Sequence, residues 1–403
     1  MTRWPERAVV LGLARSGRAA AAALERRGVA VVGVDRTQDT DRDEGSLEGA
    51  GLLVKSPGVP GEHELVRSAR RRGIPVWSEV ELGSRLLPNP LLGVTGTNGK
   101  TTTVELLGAI FRAAGRAVAV AGNVGTALCE LDGRLPADAW IVCELSSFQL
   151  EDVHDLRPRV AVLLNLEPDH LDRHGTVERY RGAKLRIFEN QRPEDAAVVP
   201  RRLGPVPGRA KRVEFDAADP LPAEPRIPGA HNRENAAAAS AAATAAGVDE
   251  RAIAKGLREF PGVPHRLELV AEIGGVRFVN DSKATNVAAA RRGLAAHDGP
   301  VRLILGGSLK QEPFGPLAGA IGPNVRGIYL VGEAAEQIAA ALESRGIAYR
   351  RSGDLERAVR DAAAAAVPGD TVLLSPACAS YDQFENFEHR GEEYRRLVQN
   401  LEA

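Results

Sequence analysis

The sequence predicts an α/β fold divided into three domains, and three observations carry that expectation. Short apolar runs alternate with alanine-rich helical patterns, as in mostly parallel sheets joined by right-handed crossovers. A strand, a glycine turn and a helix start stand together at residues 91–104, LLGVTGTNGKTTTV. Two proline-rich breaks, at residues 87–90 and 261–264, interrupt the alternation, because paired prolines prevent a continuous helix. They give expected domains of 1–89, 90–262 and 263–403, within the two or three that 403 residues allow.

Composition narrows the function classes. The 52 basic and 53 acidic residues leave a net charge of −1, with no footprint for nucleic acid or a membrane surface. Arginine is the default base, so each of the seven lysines invites a question about role: Lys55, Lys100, Lys184, Lys211, Lys255, Lys283 and Lys310. Cys129, Cys143 and Cys378 lack metal spacing, and two stand in apolar runs, as buried thiols of a reducing compartment do. There is no charged-then-apolar leader and no uninterrupted apolar run of roughly 18 residues, so a soluble cytoplasmic chain is expected.

In the first segment, residues 8–13 read as a strand, 16–27 as a helix and 29–34 as a second strand ending in Asp35. Gly12 and Gly17 at the first turn, with Asp35 23 residues beyond Gly12, approach a dinucleotide fingerprint. Ala14 stands where a second glycine should admit the pyrophosphate, which weakens an NAD reading. A strand at 51–54, the turn Ser56-Pro57-Gly58, a helix over 62–72 and a strand at 74–77 complete the module. A site for a nucleotide-diphosphate handle and a scaffold without a ligand are both open.

In the second segment, Leu91, Leu92 and Val94 form a strand, and Gly96, Thr97, Asn98 and Gly99 turn into Lys100, Thr101 and Thr102. Glycines let backbone N–H groups approach phosphates, Lys100 brings a point charge, and the Thr101 hydroxyl suits Mg²⁺. Val94 occupies the first glycine position of the strict P-loop pattern, so this is a variant ATP loop. The competing reading is a glycine turn capping an ordinary helix. Strands at 117–120, 140–143 and 159–164 lead to Asn123, to Glu144 and Ser146, and to Asp169 and His170. Ligands collect at that edge of a parallel sheet. Glu144 is a natural Mg²⁺ carboxylate and His170 an imidazole for a second ion; alternatively, Glu144 caps a helix and His170 joins a surface network. Lys184, in YRGAKLRIF, reads on composition as a snorkelling surface lysine. Residues 191–226 are expected to hold an edge strand or two. Asn232 and Asn235 share a face at the positive end of an alanine helix over 236–246, as adenine or phosphate contacts or as caps.

In the last segment, strands at 276–280, 301–305, 327–331, near 348–349 and at 371–374 alternate with helices, the last of which reaches the C-terminus. Polar loops again follow strands: Asp281, Lys283 and Thr285, then Lys310, then Ser380. Two lysines, a threonine and a serine at one focus suit a small dicarboxylate; solvated turns without a common focus are the alternative.

GVTGTNGKTTT, ELSSFQLE, NLEPDHLDRHGTVERYRGAKLRIFEN, HNRENAAAA, HRLELV, FVNDSKATN and LLSPACASYDQFENFEHRGEEYRRL follow in that order. The set resembles the Mur ligases, ATP-dependent amide ligases of peptidoglycan precursor assembly. DSKATN and SPACASYDQF are narrower, and they resemble the D-glutamate-adding branch. The resemblance implies a Rossmann-like N-terminal domain for the UDP substrate, a central P-loop-type ATPase domain and a Rossmann-like C-terminal domain for D-glutamate. It implies that Gly96, Thr97, Asn98, Gly99, Lys100, Thr101 and Thr102, with Asn235, Arg266 and Asp281, hold ATP. Thr101, Glu144, His170 and a Lys184 carbamylated by CO₂ would serve two Mg²⁺ ions, which reverses the surface reading of Lys184. Lys100, Glu144, His170, Lys184 and Lys283 form the implied catalytic set. Arg15, Ser16, Asp35, Arg36, Ser56, Pro57, Gly58, Asn123 and Ser146 would hold UDP-N-acetylmuramoyl-L-alanine. Thr285, Lys310, Ser380 and Phe387 would grip D-glutamate, and a monomer is expected.

The implied chemistry fits the absence of a nucleophile–base motif, because an acyl phosphate made from ATP needs no protein nucleophile. Closure about residues 261–264 is expected to align reactants and exclude water. An oxidoreductase leaves GTNGKTT unexplained, and an ATP-gated binding protein has no need of the polar loops in the last segment.

Overall fold

The computed structural model describes residues 4–227, 229–309 and 313–401. The chain divides into two compact units, Met1–Phe260 and Pro261–Ala403. The first unit contains two sheets. β1 (Arg7–Leu11), β2 (Ala30–Val34), β3 (Leu52–Lys55) and β4 (Val76–Ser78) are parallel, in the order β2-β1-β3-β4. Helices cover both faces of β1. Ala8 and Val10 pack with Ala20, Ala23 and Leu24 of α1 (Arg15–Glu25), whereas Val9 and Leu11 pack with Leu65, Val66 and Ala69 of α2 (Glu64–Arg71). A strand buried on both faces needs an unbroken apolar run, which is why β1 stands out in the sequence.

The second sheet is wholly parallel. It comprises β5 (Leu91–Thr95), β6 (Val118–Gly122), β7 (Trp140–Glu144), β8 (Val160–Leu163), β9 (Ala196–Pro200) and β10 (Lys211–Phe215). Their order, β10-β9-β8-β5-β7-β6, places β5 between β7 and β8, so the loop after β5 opens where the winding reverses. Of the two strands expected in residues 191–226, only β10 lies at the edge. β9 pairs with both β8 and β10, and its run Ala196 to Val199 is buried. α4 (Lys100–Ala113) packs against α8 (Ala230–Ala245) and α9 (Glu250–Glu259). α5 (Ser147–Leu150) follows β7, while α6 (Leu171–His174) and α7 (Val177–Leu185) follow β8. α8 starts at Ala230 rather than 236, so Asn232 and Asn235 lie inside its first turns.

The second unit has one six-stranded sheet. β11 (Glu268–Ile273) runs antiparallel to β12 (Val276–Asn280). β13 (Val301–Gly306), β14 (Val325–Val331), β15 (Arg350–Gly353) and β16 (Thr371–Leu374) complete the order β11-β12-β16-β13-β14-β15. α10 (Val287–Ala295), α11 (Gly315–Ala318), α12 (Ala335–Glu343), α13 (Leu355–Ala365) and α14 (Phe387–Gln399) are its helices. All three cysteines are buried. Among the described residues, no helix is long and apolar enough to cross a membrane.

α3 (Glu79–Leu86), after β4, went unforeseen, because two acidic residues open it and both are buried. Glu81 accepts the backbone N–H groups of His154, Asp155 and Leu156 and pairs with Arg85 at 2.7 Å. Glu79 accepts the Cys129 N–H at 2.7 Å through one oxygen, whereas its other oxygen has no hydrogen-bond partner. Burial pushes its pKa from 4.5 up to about 7. A carboxyl raised on folding favours its protonated form, so its contribution is complete below about pH 4.5 and lost as pH rises through about 7. Glu79→Gln should therefore remove a stability decline on the order of 3 kcal/mol between pH 5 and 8. Urea unfolding of wild type and variant across that range checks this; parallel pH profiles would refute it.

Candidate active site

The loop after β5 is shaped by backbone that only glycine adopts readily. Gly96 and Gly99 have φ of 153° and 82°, and a Cβ on Gly99 would lie 2.2 Å from the Asn235 side-chain oxygen. The first turns of α8 thus reach the mouth of α4. Lys100 donates to the carbonyls of Gly96 at 2.9 Å and Thr97 at 3.0 Å, curling over its own loop. Asn98 N–H donates to the Asn165 side chain at 2.8 Å, and the Asn98 amide donates to Glu167 at 2.9 Å. The Thr97 hydroxyl meets the Tyr180 hydroxyl at 3.0 Å. Asn165 and Glu167 brace the loop; the sequence signalled them only as polar residues ending a strand.

β7 delivers Glu144 beside this loop, 3% exposed. The Thr101 hydroxyl donates to one Glu144 oxygen at 2.8 Å, and the Asn123 amide donates to the other at 3.1 Å. Thr102 is buried in the first turn of α4. Lys184, on α7, is 2% exposed and donates to the Gly96 carbonyl at 2.8 Å, with its ammonium 4.8 Å from the Tyr180 ring centre. The surface reading of Lys184 is overturned. Burial, and then the charge of Lys100, push its pKa down to about 7 against the pull of Asp169 and Glu144. His170 caps α6 with a left-handed backbone, φ 51°, and its ring lies 4.9 Å from Phe148. Among the described residues, no three His, Cys, Asp or Glu side chains form a metal-holding group.

At the first sheet, Gly12 has φ 88° and a Cβ on Gly17 would lie 1.8 Å from the Gly12 carbonyl oxygen. The Ser56 hydroxyl donates to that same oxygen at 2.6 Å, bringing Ser56, Pro57 and Gly58 to the first loop. Asp35 accepts Leu13 N–H at 2.5 Å and Thr37 N–H at 2.8 Å, bonds that hold its pKa below the ordinary carboxylate value. Arg15 donates to the Gly125 carbonyl at 2.5 Å; Ser16 follows it in α1, and Arg36 is exposed. Ser146 accepts the Gln149 N–H at 3.2 Å as the cap of α5.

In the second unit, Arg390 on α14 is a buried guanidinium that joins two loops. It donates to the Ser282 hydroxyl at 2.9 Å and carbonyl at 2.9 Å, and to the carbonyls of Ala379 and Cys378 at 3.1 Å each. Burial pushes its pKa down to about 10. Those loops carry Lys283 and Thr285 on one side and Ser380, 1% exposed, on the other. The Lys283 ammonium lies 5.7 Å from the Phe387 ring centre. Lys310 lies outside the described residues. Asp281 accepts the Ser375 hydroxyl at 2.8 Å, and burial pushes its pKa up to about 7. Arg266 stands between His265 and Leu267, whose φ values are 60° and 45°. Such backbone costs roughly 1–3 kcal/mol per residue, a strain that marks constrained sites.

Residues 94–204 match the Mur ligase middle domain, and residues 265–378 match the Mur ligase glutamate ligase domain. The UDP-N-acetylmuramoylalanine–D-glutamate ligase of Anaeromyxobacter dehalogenans is 43% identical over 450 residues, covering 97% of each chain. That of Acidobacterium capsulatum is 41% identical over 443 residues, covering 98% of this chain and 96% of its own. Among solved structures, a UDP-N-acetylmuramate-alanine ligase of Thermotoga maritima aligns with TM-score 0.60 at 19% identity, over 98% of this chain and 99% of its own. At that identity the likeness concerns the fold.

Proposed function

The chain belongs to the Mur ligase family, and from that premise we propose the reaction and the residues that carry it. It is an ATP-dependent ligase that adds D-glutamate to UDP-N-acetylmuramoyl-L-alanine in peptidoglycan precursor synthesis. The observation that carries the substrate is near-full-length identity to two D-glutamate ligases. It acts in the cytoplasm.

The alanyl carboxylate of the UDP substrate attacks the γ-phosphorus of ATP, forming an acyl phosphate and releasing ADP. The neutral amine of D-glutamate attacks the acyl carbon; phosphate leaves and the amine sheds a proton. Residues 96–102 cradle the ATP phosphates, and Lys100 swings from its own carbonyls onto phosphate oxygens. Asn235, pressed against Gly99, together with Arg266 and Asp281, positions the nucleotide. The oxygen donors of Thr101 and Glu144 fit Mg²⁺, which accepts one or two carboxylates and completes its shell with phosphate and water. His170 and a carbamate on Lys184 would serve a second ion. Bound Mg²⁺ neutralises phosphate charge during transfer. A pKa of about 7 leaves a large share of Lys184 as the neutral amine that CO₂ requires. Lys283 flanks phosphoryl transfer, while Thr285, Lys310, Ser380 and Phe387 hold D-glutamate. Arg15, Ser16, Asp35, Arg36, Ser56, Pro57, Gly58, Asn123 and Ser146 hold the UDP substrate.

Phosphate release should require ATP, Mg²⁺, UDP-N-acetylmuramoyl-L-alanine and D-glutamate together. L-glutamate, L-alanine and diamino acids should give less than roughly one hundredth of the D-glutamate rate, because a misplaced carboxylate leaves buried donors unpaired. A preference for any of the three over D-glutamate would overturn the assignment.

A further inference from the structure

We propose that Arg173 is a positioning residue, a strut that ties the UDP-substrate turn after β3 to the loop bearing His170. The inference rests on the proposed role of residues 56–58 in holding the UDP substrate. Arg173 belongs to α6, the single turn capped by His170, and its own N–H donates to the His170 carbonyl at 3.1 Å. Its guanidinium leaves the second sheet's loops for the first sheet, donating to the Pro57 carbonyl at 2.9 Å and to the Val59 carbonyl at 2.6 Å. The planar fork thus grips both sides of Gly58.

Two contacts fix the arginine from behind. Its guanidinium carbon lies 4.2 Å from the centre of the Phe148 ring, and that ring also faces His170 at 4.9 Å. Glu151 accepts from Arg173 at 3.4 Å and, through the same oxygen, from the fully buried Lys55 at 3.4 Å. Lys55 also donates to the Val59 carbonyl at 3.2 Å. The turn that follows β3 is therefore held by two cations sharing one carboxylate, and one cation rides on the metal-loop helix. Movement of residues 57–59 when a nucleotide diphosphate docks must pull on α6, and with it on His170. Lysine cannot copy this, because an ammonium lacks the planar fork that spans two carbonyls.

The test is calorimetric, with no turnover. UDP-N-acetylmuramoyl-L-alanine is titrated into wild type, Arg173→Lys and Arg173→Ala, each with and without Mg²⁺ and a non-hydrolysable ATP analogue. In wild type, the nucleotide should change affinity for the UDP substrate by roughly fivefold or more, the usual size of a coupling between sites. In Arg173→Lys the nucleotide-free affinity should fall about tenfold and the nucleotide effect should shrink towards one. Guanidinium ion should restore part of both in Arg173→Ala, a recovery that a general packing defect would not show. Wild-type affinity and coupling in Arg173→Lys, or a wild-type coupling of one, would overturn the strut. Failure of the wild type to bind the UDP substrate in any condition would overturn the substrate reading and the strut together.

Discussion

Lys100→Ala is expected to lower kcat for ligation by roughly a thousandfold or more while the circular dichroism spectrum stays that of wild type. Lys100 follows the left-handed Gly99 at the start of α4, and its partners include two carbonyls of its own loop. Those bonds are local and half-exposed, so their loss costs the fold little. Loss of the charge at the phosphates removes stabilisation that matters as negative charge shifts from the γ-phosphoryl group to ADP. Phosphate release under saturating substrates gives the measurement. A folded variant retaining a tenth of wild-type kcat would place the phosphates elsewhere.

Lys184→Ala should lower kcat by about a hundredfold to a thousandfold, and acetate or another short carboxylate should return part of the activity. The variant leaves a gap beside Gly96 and Tyr180, where an added carboxylate can stand in for the proposed carbamate. The sign of the pH effect follows from the buried amine. Below about pH 7 Lys184 becomes protonated, the carbamate cannot form, and wild-type activity should fall with the modification. Solution ¹³C NMR under ¹³CO₂ monitors the carbamate directly. Full activity of the alanine variant would reject a role at the metal, and an unmodified amine in active enzyme would reject carbamylation alone.

The sheets were legible where strands are buried on both faces, as β1, β5 and β8 are, because burial there demands unbroken apolar runs. β11 escaped because it lies at an edge with Leu269 and Glu272 exposed, while Glu268, Val270, Ala271 and Ile273 are only half-buried. β15 is Arg350, Arg351, Ser352 and Gly353, an edge strand without an apolar signal, whereas the apolar pair Ala348 and Tyr349 lies just before it. The glycine loop after β5 and the place of Glu144 beside it were legible from local pattern, since each ends a buried strand. Lys184 was not: composition made it a surface lysine, and only the motif surrounding it suggested otherwise. The strain at His170, His265, Leu267 and Ala377 was invisible, because their left-handed backbone belongs to the assembled loops rather than to any propensity of those residues.

The four bonds from Arg390 to the loops of Ser282 and Cys378–Ala379 have a consequence for molecular recognition. A loop that is mobile before binding loses conformational entropy when it closes on a ligand, at about 0.5–1.5 kcal/mol for each side chain immobilised. Here the guanidinium fixes both loops, which carry the proposed D-glutamate contacts Thr285 and Ser380, during folding, so their freedom is already lost before a ligand arrives. Selectivity can then come from shape and charge in a rigid mould rather than from adaptation to whichever ligand enters. Such a mould favours discrimination between mirror-image amino acids, which differ in geometry and in nothing else.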